Sequence, residues 1–386
     1  MGTPQSWVLR AVVQFLNRRE AGLSLAGLFG SVQPMRGFSS SWMRGVAVVF
    51  LGVAGCGTEA PVLDAGQDAG DGVKNDGGSP GGGDGGTGTS DGGTPGAAPV
   101  EYTPPAGSAG SAADKQGPGV RRILLATSTD GVTFTRLERK LLDQANTPSM
   151  VALPSGRLMV YFTAYQLSGA NDGVGVAVSD DNAASWRFYK VQLNGLTAPP
   201  SIGDPDVVYD AVGKGFRLYV THGMGANAIA IKSLTSTDGF NFTYEGLAFN
   251  PGSTDYLDSL TQKVGSGFVQ FTLHPADMTM GRATSTDGKT FTLADTKAYS
   301  IGGEPYVLSN WLDLGNGTHR VYGFRGLNAA SVIKSFTTTD GVTLTPDTTT
   351  CLSLGSSALE KSFVKDAAVA RMANGTYVMA YVSEIP

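Results

Sequence analysis

Four acidic residues open four similarly built segments of this 386-residue chain. Asp204 begins DPDVVYDAVGKGFRLYVTH, Asp258 begins DSLTQKVGSGFVQFTLH, Glu304 begins EPYVLSNWLDLGNGTHRVYGFR and Asp366 begins DAAVARMANGTYVMAYVS; a fifth segment, PSMVALPSGRLMVYFTAY, has Thr147 in front of it. The segments end in His222, His274, Arg325, Ser383 and Tyr165. Carboxylates gathered at one place raise one another's pKa, so that one keeps its proton while another stays charged, which is the condition for moving protons in a reaction. Their oxygens also suit a hard cation such as Ca²⁺. Any one of these acids alone needs no explanation beyond an Asx-type turn at a strand start, whereas four facing one channel would repel each other more than a turn requires. Asp255 is the other acid that could stand in the place of Asp258.

A repeating frame is needed to bring such residues together. A turn flanked by strand formers recurs as ATSTDGVTFT, AVSDDNAASW, LTSTDGFNFT, ATSTDGKTFT and FTTTDGVTLT, with Asp130, Asp181, Asp238, Asp287 and Asp340 spaced by 51, 57, 49 and 53 residues. A period near fifty marks a repeat architecture. Asp-Gly supplies the positive φ of a tight hairpin turn, and the alternating β-branched and aromatic residues beside it predict two strands. Each acid-led segment adds two more strands about a polar or Gly turn. Four strands in each of five repeats predict an all-β fold, a five-bladed β-propeller over residues 121–386. The chain opens on an outer hairpin, Arg121 to Glu138, and closes on an inner pair, Asp366 to Ser383. Together these make the fifth blade and leave no open half-blade edge.

In a propeller the first strand of each blade lines the central channel and starts at the end where the second strand finishes. Asp204, Asp258, Glu304 and Asp366 are therefore expected at one mouth, with Tyr165, His222, His274 and Arg325 beside them and Asp206 in the same set. The Asp-Gly turns lie at the opposite end as scaffold. Trp186 and Trp311 read as blade packing, with stacking on a sugar the alternative for Trp311, and Cys351 reads as a buried small hydrophobe.

Glycine makes up 54 of the residues, about twice its usual share of about 7%. Nineteen of them lie between Gly57 and Val120, where nine acids face two lysines, and 27 lie from Arg121 onward. Residues 57–120 are expected to be an extended acidic tether, too poor in apolar groups to offset the entropy of ordering. The propeller sums to a net charge of −2, which excludes an electrostatic footprint for nucleic acid. Upstream, Met43-Arg-Gly-Val-Ala-Val-Val-Phe-Leu-Gly-Val-Ala-Gly-Cys56 has a basic start and a short apolar run, so residues 1–56 are expected to be an export segment. Residues 1–34 do not fit such a signal, which places the expected start at Met35 or Met43. The ending Val53-Ala54-Gly55-Cys56 resembles the bacterial lipoprotein box, and the resemblance implies lipidation at Cys56 and anchoring to the cell envelope, at the outer membrane or cell surface; an ordinary signal cut near Ala54 is the alternative, and a monomer is expected.

The recurring turns resemble Asp-box hairpins of the S-x-D-x-G-x-T-W type. The series Asp204-Pro205, Asp258, Gly303-Glu304-Pro305 resembles that of the five-bladed glycoside hydrolases of the arabinanase, xylosidase and invertase kind. That resemblance implies Asp204 as general base, Asp258 as the residue that tunes it and Glu304 as general acid, with carbohydrate as the partner. Asp206, His222, His274, Arg325, Asp366 and Tyr165 would then bind substrate. The family usually begins its series in the first inner strand, which here offers Thr147. No cofactor is required by these motifs; Ca²⁺ is the one candidate. A non-catalytic propeller that binds glycan or protein at the same mouth is the alternative. A sialidase is disfavoured, because that class uses six blades and three arginines where this chain offers five and Arg325.

Overall fold

The structure, a computed structural model, describes residues 97–109, 117–196, 202–213, 215–223, 229–252 and 255–386. The expected export segment, Cys56 and the tether as far as residue 96 lie outside the described residues.

Five sheets form five blades, antiparallel except where Gln192–Asn194 pairs parallel with Asn241–Phe249. Their channel-lining first strands are Ala145–Ala152, Ile202–Asp210, Leu257–Val264, Glu304–Gly315 and Lys365–Arg371. We number the blades 1 to 5 in that order. Each first strand touches the next, and the fifth touches the first, so the ring is closed. Blade 5 is made of both ends of the propeller chain, Lys365–Arg371 and Tyr377–Glu384 followed by Arg121–Ser128 and Thr135–Asp143. The all-β, five-bladed fold and its joined ends are as the repeat predicted.

The core lies between blades. Tyr161 and Val176 of blade 1 pack on Leu218 and Phe242 of blade 2, and Tyr219 and Ile231 of blade 2 pack on Ala283 and Phe291 of blade 3. Trp311 belongs to this packing: it stacks on Phe271 at 5.3 Å and donates its indole N–H to the Leu260 carbonyl, at 3.2 Å. It is closed to a sugar. Cys351 is buried as expected, and burial raises its thiol to about 11.

The recurring turns are held from within. Asp130 accepts the backbone N–H groups of Val132 and Thr133 at 2.7 and 2.8 Å, and the Ser128 hydroxyl accepts that of Gly131 at 2.9 Å; Asp238 and Ser236 repeat the pattern. These bonds lower the pKa of Asp130, and the Ser185 hydroxyl and backbone N–H hold that of Asp181 at about 2. Each turn is also gripped from the neighbouring blade. The buried Tyr161 hydroxyl donates to the Gly239 carbonyl (2.8 Å) and Tyr322 to that of Gly131 (2.7 Å), and Tyr219 donates to that of Gly288. Gly239 has φ 78°, and a Cβ there would meet the Tyr161 hydroxyl at 2.8 Å, so the close approach itself requires glycine.

Contact with the propeller extends N-terminal of Arg121. Val100–Glu101 pairs with the outer strand of blade 1 at Tyr189 and Lys190, and Asn241 of blade 2 donates to the Ala97 carbonyl at 2.8 Å. At the other end of this strap, Gly107 N–H donates to Asp143 at 2.9 Å. Asp143 is buried and also binds Arg122 and Lys140 at 2.9 and 2.6 Å. The strap covers an outer strand that would otherwise offer open main-chain groups, and because it does so through backbone bonds its Gly, Ala and Pro composition conceals it in the sequence.

Tyr161→Phe leaves the buried Gly239 carbonyl without its donor. We expect a loss of about 1–3 kcal/mol in equilibrium urea unfolding, with Tyr219→Phe similar.

Candidate active site

The first strands of four blades carry the same irregularity. Thr147–Pro148, Asp204–Pro205, Asp258–Ser259 and Asp366–Ala367 each place two residues opposite one on the second strand. The leading residue of each pair has positive φ, at 45°, 49°, 53° and 47°. Such backbone is disfavoured for a residue with a side chain, at about 1–3 kcal/mol each, and persists only where the surroundings impose it. A bulge re-aims the side chain it carries. Here neighbouring blades hold the bulges in place. Asp204 N–H donates to the Thr163 hydroxyl of blade 1 at 2.8 Å, which also meets Thr147 at 2.8 Å, and Asp258 N–H donates to Thr221 of blade 2 at 3.3 Å.

Three acids converge: Asp204, Asp258 and Asp366. Asp258 and Asp204 are hydrogen-bonded to each other, and both feel the charges of Asp366 and Lys365. Removal from water, then the charges of Asp204 and Asp366, hold the Asp258 carboxyl well above the ordinary carboxylate range. Burial also raises Asp204, but the bond from Asp258 and the Lys365 ammonium oppose it. Asp258 therefore keeps the shared proton and donates it toward Asp204. Both side chains remain half-buried, open to the channel. Asp366 is buried and ion-paired with Lys365.

Glu304 is not brought to this cluster. In blade 4 the register shifts between Leu308 and Asn310, so counting from the paired flanks puts Leu308 at the level of Asp204. Glu304 lies four residues earlier, paired opposite Ile301 of the added strand Tyr299–Ile301. This first strand has 12 residues against seven to nine in the other blades, which is why alignment on the central turns put Glu304 level with the aspartates. Its carboxylate, 59% exposed, meets Arg325 Nη1 at 3.3 Å.

The remaining candidates are dispersed around the same end. Asp206 is 5% exposed, and burial raises its carboxyl to about 7 against the favourable Thr261 and Ser259 of blade 3; it lies between blades 2 and 3, and its Oδ2 has no hydrogen-bond partner among the described residues. His274 is held by Asp277 through Nδ1 at 2.8 Å and lies against the Tyr256 ring. His222 ends the second strand of blade 2, paired with Ile202 and Ala230. Gly119 of the Pro118–Val120 turn packs against the ring of Tyr165. Lys365 was missed in the sequence; its signal is a lysine directly before the acid that opens the last segment.

A divalent cation does not fit this donor set as it stands, because the Lys365 ammonium occupies Asp366, one of its three carboxylates. Among the described residues no group of three or more His, Cys, Asp or Glu side chains is arranged to hold a metal ion.

No protein-family model matches the chain, and no curated protein does. Solved structures do. A thermostable family-43 glycoside hydrolase is similar at 13% identity over 62% of this chain and 88% of that one, with TM-score 0.46. An endo-1,4-beta-xylanase of Bacteroides thetaiotaomicron is similar at 14% identity over 62% and 90%, with TM-score 0.47. The alpha-L-arabinofuranosidase of Podospora anserina, solved with cellotriose, is similar at 12% identity over 61% and 90%, with TM-score 0.44. These are likenesses of fold.

Asp206 yields a pH prediction. Its folded pKa of about 7 lies above the ordinary value of about 3.9, so between the two the folded protein holds a proton that the unfolded chain has released. Stability then falls as pH rises through that window, by about 1.4 kcal/mol per unit at most, and levels off above it. Asp206→Asn, neutral throughout, should flatten that slope and be more stable than the parent at pH 8 in thermal unfolding.

Proposed function

We propose that the propeller is a carbohydrate-active enzyme, a glycoside hydrolase that works at this mouth. The observation that carries the reading is the proton-sharing pair Asp204–Asp258 on two strained bulges, because strain kept at matching positions in neighbouring blades serves the placement of those side chains and not the stability of the sheets. In this reading Asp204 is the general base that takes a proton from water. Asp258, its proton held by burial and by the neighbouring charges, sets the basicity of Asp204. Lys365 keeps the cluster from accumulating three negative charges. Glu304 is the candidate general acid, and it reaches the leaving oxygen only after parting from Arg325.

That requirement favours a second reading, a propeller that binds glycan without cleaving it. The two are separated by incubating the protein with a panel of oligosaccharides and resolving products by chromatography. We expect turnover by the parent, a fall of about 10²- to 10⁴-fold in Asp204→Asn, a comparable fall in Glu304→Gln, and unchanged unfolding midpoints. Saturable binding without product in the parent establishes the second reading.

The envelope location belongs to the same proposal, and it rests on the residues from Met43 to Cys56. In a bacterial host, Cys56→Ser should abolish incorporation of labelled palmitate and move the protein from the membrane to the soluble fraction.

A further inference from the structure

Blade 4 differs from the other four in one place. At its mouth end the first strand is lengthened and the strand Tyr299–Ile301 is added, while the fourth strand is interrupted, Thr345–Pro346 and Leu352–Ser353 each pairing with the third. Between the added strand and this interrupted edge lies a cleft of about 480 Å³. Additions of this kind to a repeated scaffold are where binding sites are commonly built. Ile301, Tyr306 and Val332 line it, and its charged groups are Glu304, Arg325 and Lys334. Two cations face one carboxylate.

Arg325 is only partly engaged. Nη1 meets Glu304 at the long distance of 3.3 Å, and Nε is buried with no hydrogen-bond partner among the described residues. Lys334 donates to the Thr348 carbonyl at 3.0 Å and has no carboxylate partner among the described ion pairs. Contacts lead from the cleft toward the acids: Phe324, next to Arg325, carries the Lys365 ammonium over its ring at 5.9 Å, and Lys365 pairs with Asp366.

We propose that this cleft is a subsite for a sugar unit that carries an anionic group, held by Arg325 and Lys334, and that the ligand's anion takes Arg325 from Glu304. The inference rests on the carbohydrate reading above and adds to it the substrate class. An exposed, long ion pair is weak, whereas a planar carboxylate or a sulfate can take two charge-assisted bonds from one guanidinium, so the exchange favours the ligand. Glu304 is then released from its ion pair and free to turn toward the ligand. The same event that seats the substrate prepares the acid.

The test uses the full chain carrying Asp204→Asn, so that ligands are not consumed. Titration calorimetry is run with tri-galacturonate, its methyl ester and a sulfated galactose oligosaccharide. The ester has the same rings without the charge. We expect at least one anionic probe to bind ten-fold or more tightly than the ester, with affinity falling as salt rises, and Lys334→Gln and Arg325→Gln each to lower that affinity five-fold or more while leaving the unfolding midpoint unchanged. The two anionic probes tell carboxylate from sulfate recognition. Equal binding of ester and acid, or unchanged affinity in both variants, overturns the subsite and leaves the carbohydrate reading intact. Failure of all three probes and of the neutral oligosaccharide panel overturns both.

Discussion

Eight consecutive backbone pairs, from Arg121 with Glu384 to Ser128 with Tyr377, close the ring. Every other feature depends on that closure. A blade buries its faces only against its neighbours, so an open ring would expose two apolar faces and two strand edges. The Tyr161, Tyr219 and Tyr322 hydroxyls act on the turns of the next blade, which is possible only if that blade is held at a fixed distance. The strap at Val100–Glu101 continues the same logic outward, and Asp143, with Arg122, Lys140 and Gly107 around it, fastens the strap beside the start of blade 1.

Closure also makes the strained bulges tenable. Asp204 and Asp258 take backbone geometry that a free strand would relax, and the Thr163 and Thr221 hydroxyls that hold them belong to the preceding blades. The strain is sustained by contacts between blades. Its consequence is electrostatic: two carboxyls are pressed close enough to share a proton, with Lys365 supplying the positive charge. Blade 4 departs from this scheme. At the level of the acids it places the buried Leu308, and it uses its lengthened strand to build a cleft at the rim.

The fold was legible because its marker is local. Asp-Gly between strand formers specifies a hairpin whatever surrounds it, and five such turns at a period near fifty counted the blades. The mouth was legible in part. Asp204, Asp258 and Asp366 open their segments at matching positions, and the structure brings them together. Glu304 opens its segment too, but a bulge and a longer turn shift register by whole residues without any mark in composition, and in a strand such a shift changes both the level and the face of a side chain. Lys365 was overlooked because a single lysine at a strand start has no pattern of its own. Trp311 read as packing, with stacking on a sugar the alternative, and the position of Phe271 across the blade interface decides for packing.

The sequence by itself determined the class of fold, the number of blades, the joined ends and the set of acids available at one mouth, because periodicity and turn chemistry act over a few residues and survive any arrangement of the rest. The tertiary structure alone decided which acids share a proton, that Asp206 is buried between blades with its carboxyl raised to about 7, and that Glu304 pairs with Arg325 beside a cleft. Proton affinity depends on distance and on exclusion of water, and the bonds that fix Asp204 and Asp258 join residues 41 and 37 positions apart in the chain, which meet only when neighbouring blades pack.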